Sequence, residues 1–229
     1  MKTVLITGAN GNLGSAVTKE FLGKGYRVVA TVVTEAMISD LPPHAHLEVR
    51  VVDLGNEEET ASFIQTVIST YKKIDAALML VGGFAMGNIA ATSTADIQKQ
   101  FALNFETAYH VTRPLFSHML GNVNGRLVFI GSRPAMEAVQ GSNLWASGLS
   151  KSLLFKLAEY LNAEAKGRNV TATVVAPSTL DTPLNRKSMP DVDPTTWVQP
   201  AALAEILEFI VSDNGSPLRE TVCKVSNNA

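Results

Sequence analysis

The chain has 229 residues, 46% apolar and 17% charged, and 19 Lys+Arg against 21 Asp+Glu give a formal net charge of -2. This is enough apolar material for a buried core in one large domain or two small ones, which excludes disorder. No basic run supplies the phosphate-neutralising footprint of a nucleic-acid binder.

In chain order, Lys2–Thr7 reads as a strand and Asn12–Lys24 as a helix with Val17, Phe21 and Leu22 on one face. Strands follow at Arg27–Val33 and Leu47–Val52. Asn56 and Glu59 then form a capping box for a helix to about Tyr71. Ala76–Val81 is the fourth strand. The uncharged stretch it opens is broken by Gly82, Gly83, Gly87 and Asn88, so it reads as a strand running into a loop, not a membrane span. A long helix spans Ile97–Leu120, with Pro114 expected to kink it.

The fifth strand is Arg126–Ile130. From about Ser147 to Lys166, Leu149, Leu153, Leu157 and Leu161 recur every four residues, with Leu154 and Ala158 widening the stripe into one broad buried face. Val170–Val175 is a strand, Pro200–Ser212 a helix and Glu220–Val225 a last strand, with no linker dividing the chain. Apolar strands separated by helices imply a parallel sheet covered on both faces, hence a doubly wound, three-layer α/β/α Rossmann domain of about seven strands over residues 1–229. Ligands of such sheets sit beyond the carboxyl ends of the strands.

The first strand runs into Thr7-Gly8-Ala9-Asn10-Gly11-Asn12-Leu13-Gly14. A pyrophosphate on a helix N-terminus needs exposed N–H groups and close backbone approach. Gly8 would make the turn, Gly11 admit the phosphates and Gly14 let the helix pack on the strand. The second strand ends in Thr31, Val32, Val33 and Thr34, with neither the acid that selects NAD nor the Arg that selects NADP, so the cofactor is NAD or NADP. Asp53, followed by Leu54, suits either an adenine contact or the start of a helix.

With this loop, Asn104, Ser132 and Lys151, the chain resembles the short-chain dehydrogenase/reductases over essentially its whole length. Leu180-Asp181-Thr182-Pro183-Leu184-Asn185-Arg186-Lys187-Ser188-Met189-Pro190, followed by Trp197, is similar to the substrate loop of the dihydropteridine reductase branch. The glycine spacing and the Val81-Gly82-Gly83-Phe84 turn are similar to that branch too, whereas Ser132 belongs to the broader family. The resemblance implies hydride transfer to a small carbonyl or quinonoid pterin. In the family a Tyr gives the proton, a Lys holds the nicotinamide ribose, a Ser positions substrate and an Asn helps hold a water. It also implies cofactor contacts from Val32, Asp53, Leu54, Val81, Gly82, Gly83, Pro177, Ser178, Thr179 and Thr182.

One departure dominates. Four residues before Lys151, where the family has its Tyr, stands Ser147, on the same helix face as the lysine. An aliphatic hydroxyl is shorter than a phenol and far weaker as an acid. The catalytic candidates are thus Ser132, Ser147, Lys151 and Asn104, with a Lys151/Asn104 water chain to bring the proton. The alternative is a dinucleotide-binding protein with little or no catalysis.

Leu180 to about Pro200 is long for a loop and reads as a lid, in which Arg186 and Lys187 suit either an anionic substrate or plain solvation. His44 and His46 lack further ligands at metal spacing, so no metal site is expected. The single Cys and the absence of a signal-like start point to the cytoplasm, with no membrane partner. The resemblance further implies a homodimer or homotetramer built on the Ile97–Leu120 and Ser147–Lys166 helices. From its stripe alone, the second helix could equally well pack on the sheet.

Overall fold

The computed structural model describes residues 1–227. Seven strands form one parallel sheet: β1 (Thr3–Ile6), β2 (Arg27–Val32), β3 (Leu47–Val51), β4 (Ala76–Met79), β5 (Asn124–Ile130), β6 (Asn169–Pro177) and β7 (Val222–Val225). Their order is β3-β2-β1-β4-β5-β6-β7, so the winding reverses between β1 and β4. That reversal opens a crevice at the carboxyl ends of these two strands.

Helices α1 (Asn12–Gly23) and α8 (Pro200–Val211) cover one face. Leu13, Val17 and Phe21 of α1 meet Leu203, Leu207 and Ile210 of α8 over Val4, Ile6, Val28 and Leu78 of the sheet. The other face carries α2 (Glu57–Tyr71), α4 (Thr107–Gly121) and α6 (Trp145–Glu164), which pack Ile64, Val111, Leu115, Leu154 and Ala158 on Leu5, Met79, Phe129 and Val174. Each central strand is apolar on both faces because each face has its own helical layer.

The long helix is less regular than its sequence suggested, and at a different place. It starts at Thr94, behind a capping box between Ser93 and Asp96. It runs as α3 (Thr94–Phe101), passes through one π-helical turn (Ala102–Glu106), and continues as α4 straight across Pro114. The irregularity therefore centres on Asn104, not on the proline.

The leucine stripe of α6 also needs correction. Leu161 is buried, but Leu149 and Leu153 are 47% and 39% exposed. Steps of four residues advance about 40° beyond a full turn, so three steps carry a stripe roughly 120° around the helix. The buried face is Ser147, Ser150, Leu154, Ala158 and Leu161, which follows the true helical period.

The expected lid is built instead of loose. Thr182 caps a short helix α7 (Pro183–Ser188), Trp197 is buried, and Asp181 N–H to Val198 O (2.9 Å) and Val198 N–H to Thr179 O (2.9 Å) tie its two ends together. A four-residue helix α5 (Ala138–Gly141) and a 3-10 turn at Glu35–Asp40 are further elements that the hydrophobic pattern does not show.

Strand β6 reaches beyond β7, which leaves the peptide of Ala172 facing a helix. Asn162 of α6 repairs it: its Oδ1 accepts from Ala172 N–H at 2.8 Å and its Nδ2 donates to Ala172 O at 2.8 Å. Unpaired buried peptide groups cost about 1–3 kcal/mol each. Asn162→Ala is expected to lower unfolding stability by about 2 kcal/mol or more, read from chemical denaturation.

Candidate active site

The glycine turn does what its spacing predicts. Gly8 adopts φ +62°, which favours glycine, and a Cβ there would press on Val81 Cγ2 at 3.1 Å. A Cβ on Gly14 would collide with the Gly8 carbonyl oxygen and lie 2.8 Å from Ala9 Cα, so the helix sits against the turn as only glycine permits. Gly11 is exposed, and the one atom near its missing Cβ is the Gly8 oxygen at 3.3 Å. The first intrahelical bond of α1 runs from Ser15 N–H to Gly11 O, and Gly11 brings no side-chain cap. Asn12, Leu13 and Gly14 therefore present amides to the crevice at the positive end of a twelve-residue helix.

Other sequence-predicted cofactor residues fall around the same edge. Asn10 donates to Asp40 Oδ2 at 3.1 Å, fastening the turn to the segment that follows β2. Val32 is buried at the end of β2. Asp53 Oδ1 accepts from Gly55 N–H at 2.9 Å, a turn leading into α2, which gives one of its oxygens the structural duty considered for it. Leu54 is a core side chain, packed in the layer under α2, and its carbonyl bonds the His110 ring at 2.9 Å.

Thr7, which the sequence reading did not single out, holds the crevice together. Its Oγ1 accepts from Leu80 N–H at 3.0 Å and from Val81 N–H at 3.4 Å. This ends β4 at Met79, two residues early, and sends Val81, Gly82 and Gly83 across the top of β1. A threonine at a strand end gives no signal of such a task.

Asn104 is buried in the π turn, and its whole amide is used. Oδ1 accepts from Gly83 N–H at 2.7 Å, while Nδ2 donates to Gln100 Oε1 at 3.0 Å and Ser150 Oγ at 2.9 Å. A Cβ on Gly82 would stand 2.9 Å from the same oxygen. The side chain shapes the β4–α3 loop and has no donor left for a water.

Ser147 is equally committed. Its Oγ accepts from Ala85 N–H at 2.6 Å and donates to Ala85 O at 3.1 Å, with Gln100 Oε1 at 3.4 Å as a second acceptor. Gly87 N–H to Asn143 O (2.8 Å) and Trp145 N–H to Gly87 O (3.1 Å) stitch the same loop to the start of α6. The hydroxyl thus clamps the loop after β4 to α6.

Tyr109 stacks on Phe105 and is 40% exposed, and Tyr160 lies exposed near Lys156.

Lys151 lies one turn on from Ser147. Its ammonium donates to Gly131 O at a long 3.4 Å, and Nζ is 3.9 Å from where a Gly82 Cβ would stand. It is thus held between the ends of β4 and β5. Desolvation by burial lowers its pKa from 10.5 to about 8. Ser132 is half-buried directly after β5.

Pro177, the last residue of β6, is buried, and the Ser178 hydroxyl after it is buried without a hydrogen-bond partner among the described residues. Thr179 follows, and the Thr182 Oγ1 accepts from Asn185 N–H as the cap of α7. An orphaned hydroxyl at the ligand edge is a group that awaits an external partner. Arg186 does not: Asp181 holds it bidentately at 2.6 and 2.8 Å, and Asp181 also accepts from Gln199.

An open cradle of helix amides, an orphaned Ser178 hydroxyl and a lysine between the ends of β4 and β5 suit a nicotinamide dinucleotide. The glycine turn would take its diphosphate, and Lys151 and Ser178 its nicotinamide end.

Comparison with known proteins agrees. The family model described as short chain dehydrogenase matches residues 2–193. The chain belongs to that family. It is 27% identical to the acetoacetyl-CoA reductase of Acinetobacter sp. (strain RA3849), over 94% of this chain and 92% of the relative. It is 26% identical to the dihydropteridine reductase of Dictyostelium discoideum, over 97% and 94%. Among solved structures, ElxO with NADP bound superposes at a TM-score of 0.89 with 20% identity, covering 98% of this chain and 96% of that one. The crystal structure of gox2181 gives 0.88 at 22% identity, covering 98% and 93%. The family's chemistry is NAD(P)-dependent oxidation and reduction. Among the described residues, no helix is long and apolar enough to cross a membrane.

The clamp can be tested directly. Ser147→Ala removes the acceptor of Ala85 N–H, and hydrogen exchange at Ala85 is expected to speed up at least about tenfold, equivalent to about 1.4 kcal/mol of lost local protection. Exchange in the β-sheet core should stay unchanged.

Proposed function

We propose that the protein is an NAD(P)-dependent reductase that passes hydride to a small carbonyl or pterin-like substrate, with Ser147 in the place of the family's tyrosine. The observation that carries this reading is the meeting of the glycine turn, the orphaned Ser178 hydroxyl and Lys151 at one edge of the sheet. The dinucleotide would supply or accept hydride. The chain's own residues would hold the diphosphate on the amides of Asn12, Leu13 and Gly14 and the nicotinamide end near Lys151.

The mouth of the site favours an uncharged substrate. Phe84 and Met86 after β4, Val139 after β5 and Leu184 after β6 are all largely exposed. These three loops are neighbours, because β4, β5 and β6 are adjacent strands. Arg186 is neutralised by Asp181 and so offers little to an anion. A flat, partly apolar ring or a short ketone suits such a rim better than an acid does.

The test follows NADH and NADPH oxidation by absorbance with quinonoid dihydropteridine and with a panel of aldehydes and ketones. Turnover above the blank is expected with at least one dinucleotide, together with micromolar binding by calorimetry. A second reading has a specific observation behind it, since the Ser147 hydroxyl is occupied and, among the described residues, no tyrosine hydroxyl bonds Lys151. On that reading the chain binds a dinucleotide without turning over, and binding with no oxidation of either cofactor would select it.

We further propose a homodimer in the cytoplasm, the compartment that a single unpaired cysteine suits. Phe101, Phe105 and Tyr109 stack in series along the long helix, and Leu149, Leu153 and Tyr160 stand exposed on α6 beside it. Light scattering is expected to give twice the 24.5 kDa chain mass. The double change Leu149→Glu with Leu153→Glu should shift the protein to monomer.

A further inference from the structure

Carbonyl reduction needs a proton at oxygen as hydride reaches carbon, and the residues around the site narrow its source. The Ser147 hydroxyl is held by the N–H and the carbonyl of Ala85, and both N–H donors of the Asn104 amide are used. Ser132 offers only an aliphatic hydroxyl, and Tyr109 of α4 and Tyr160 of α6 are exposed. Glu137 is engaged by Gln140 at 2.7 Å, with Lys224 at 3.9 Å.

Lys151 remains. Its ammonium carries three protons, and its one hydrogen bond among the described residues, to Gly131 O, is long at 3.4 Å. It lies where the backbone at Gly82 passes between the ends of β4 and β5. We propose that Lys151 is the direct proton donor of this enzyme, replacing the phenol that the chain lacks; this rests on the reductase reading above.

In the step, the bound dinucleotide would supply hydride to the carbonyl carbon, and the C=O π pair would move to oxygen. An N–H bond of Lys151 breaks as the O–H bond forms. The product is an alcohol, and the neutral amine left behind recovers its proton from water.

Burial supports this chemistry. A lysine of ordinary pKa is a poor acid near neutrality, whereas burial brings this one down to about 8. The elements packed around it, α3, the π turn, the Arg133–Ala135 turn and β6, carry Asp96, Lys99, Glu106 and Arg133 as their charged groups. None of these contributes to the shift, whose cause is desolvation alone. The sign follows directly. The acid form prevails below the lowered pKa, so reduction is supported there and falls as pH rises through it.

Two measurements test the proposal. The first is acetylation of the ligand-free protein by acetic anhydride across pH, followed at Lys151 by mass spectrometry with exposed Lys156 as reference. It should show a reactivity midpoint near 8 for Lys151 and a higher one for Lys156. The second is kcat/KM for a ketone, expected to be level below that midpoint and to fall about tenfold per pH unit above it. Lys151→Arg, which keeps the charge but cannot release a proton, should cut ketone reduction about 100-fold or more.

A Lys151 midpoint near that of Lys156, a profile level through pH ~10, or an Arg variant within about threefold of the unmodified protein would each overturn the donor role. Dinucleotide binding without any ketone turnover overturns it as well, while leaving the cofactor site standing. Failure of the unmodified protein to bind NADH or NADPH removes the reductase reading itself.

Discussion

The structure depends on a close approach of backbone to backbone where the sheet changes its direction of winding. Between β1 and β4 the chain leaves in opposite directions, and the gap is spanned by the turn from Gly8 to Gly14 on one side and by Val81–Gly83 on the other. Two contacts fix the gap. Gly14 lets α1 rest on the Gly8 carbonyl, and Thr7 Oγ1 takes the amides of Leu80 and Val81. With those in place the first amides of α1 have no intrahelical partner, and a diphosphate is the natural complement to such a group of donors.

From this gap the site extends along the carboxyl edge through side chains that mostly serve the backbone. Asn104 holds Gly83, Ser147 holds Ala85, and Thr182 starts α7. In this chain their polar atoms are spent on shaping loops. Burial of Lys151, where α6 packs on α3, the π turn and β6, lowers its pKa by desolvation.

Much of this could be read from the sequence, because it rests on local pattern. Apolar strands alternating with helices gave the parallel sheet, and three glycines between a strand and a helix gave the cradle. What escaped depends on partners remote in sequence. The Ser147 clamp joins residues 62 apart, and nothing near Ser147 names Ala85. Thr7 likewise meets amides more than 70 positions away. The leucine stripe misled because a four-residue repeat imitates a helical face over one turn and drifts from it over three. The π turn at Asn104 is not coded by a breaker at all: Pro114 drew attention, yet its ring is accommodated within α4 while the distortion arises where an amide must reach Gly83.

That distortion bears on how this lineage can change. A π turn is in effect a helix holding one surplus residue, a local widening where the spiral makes room for its extra member. Losing any single residue from Ala102–Glu106 would leave an entirely respectable α-helix, good in propensity and in apolar content. It would also rotate everything on one flank by about 100° relative to the other. The buried carboxamide and the aromatic ladder beyond it could then no longer both meet their neighbours. Among homologues, gaps and insertions at this spot should therefore be read as losses of the nucleotide crevice, however harmless they look in an alignment.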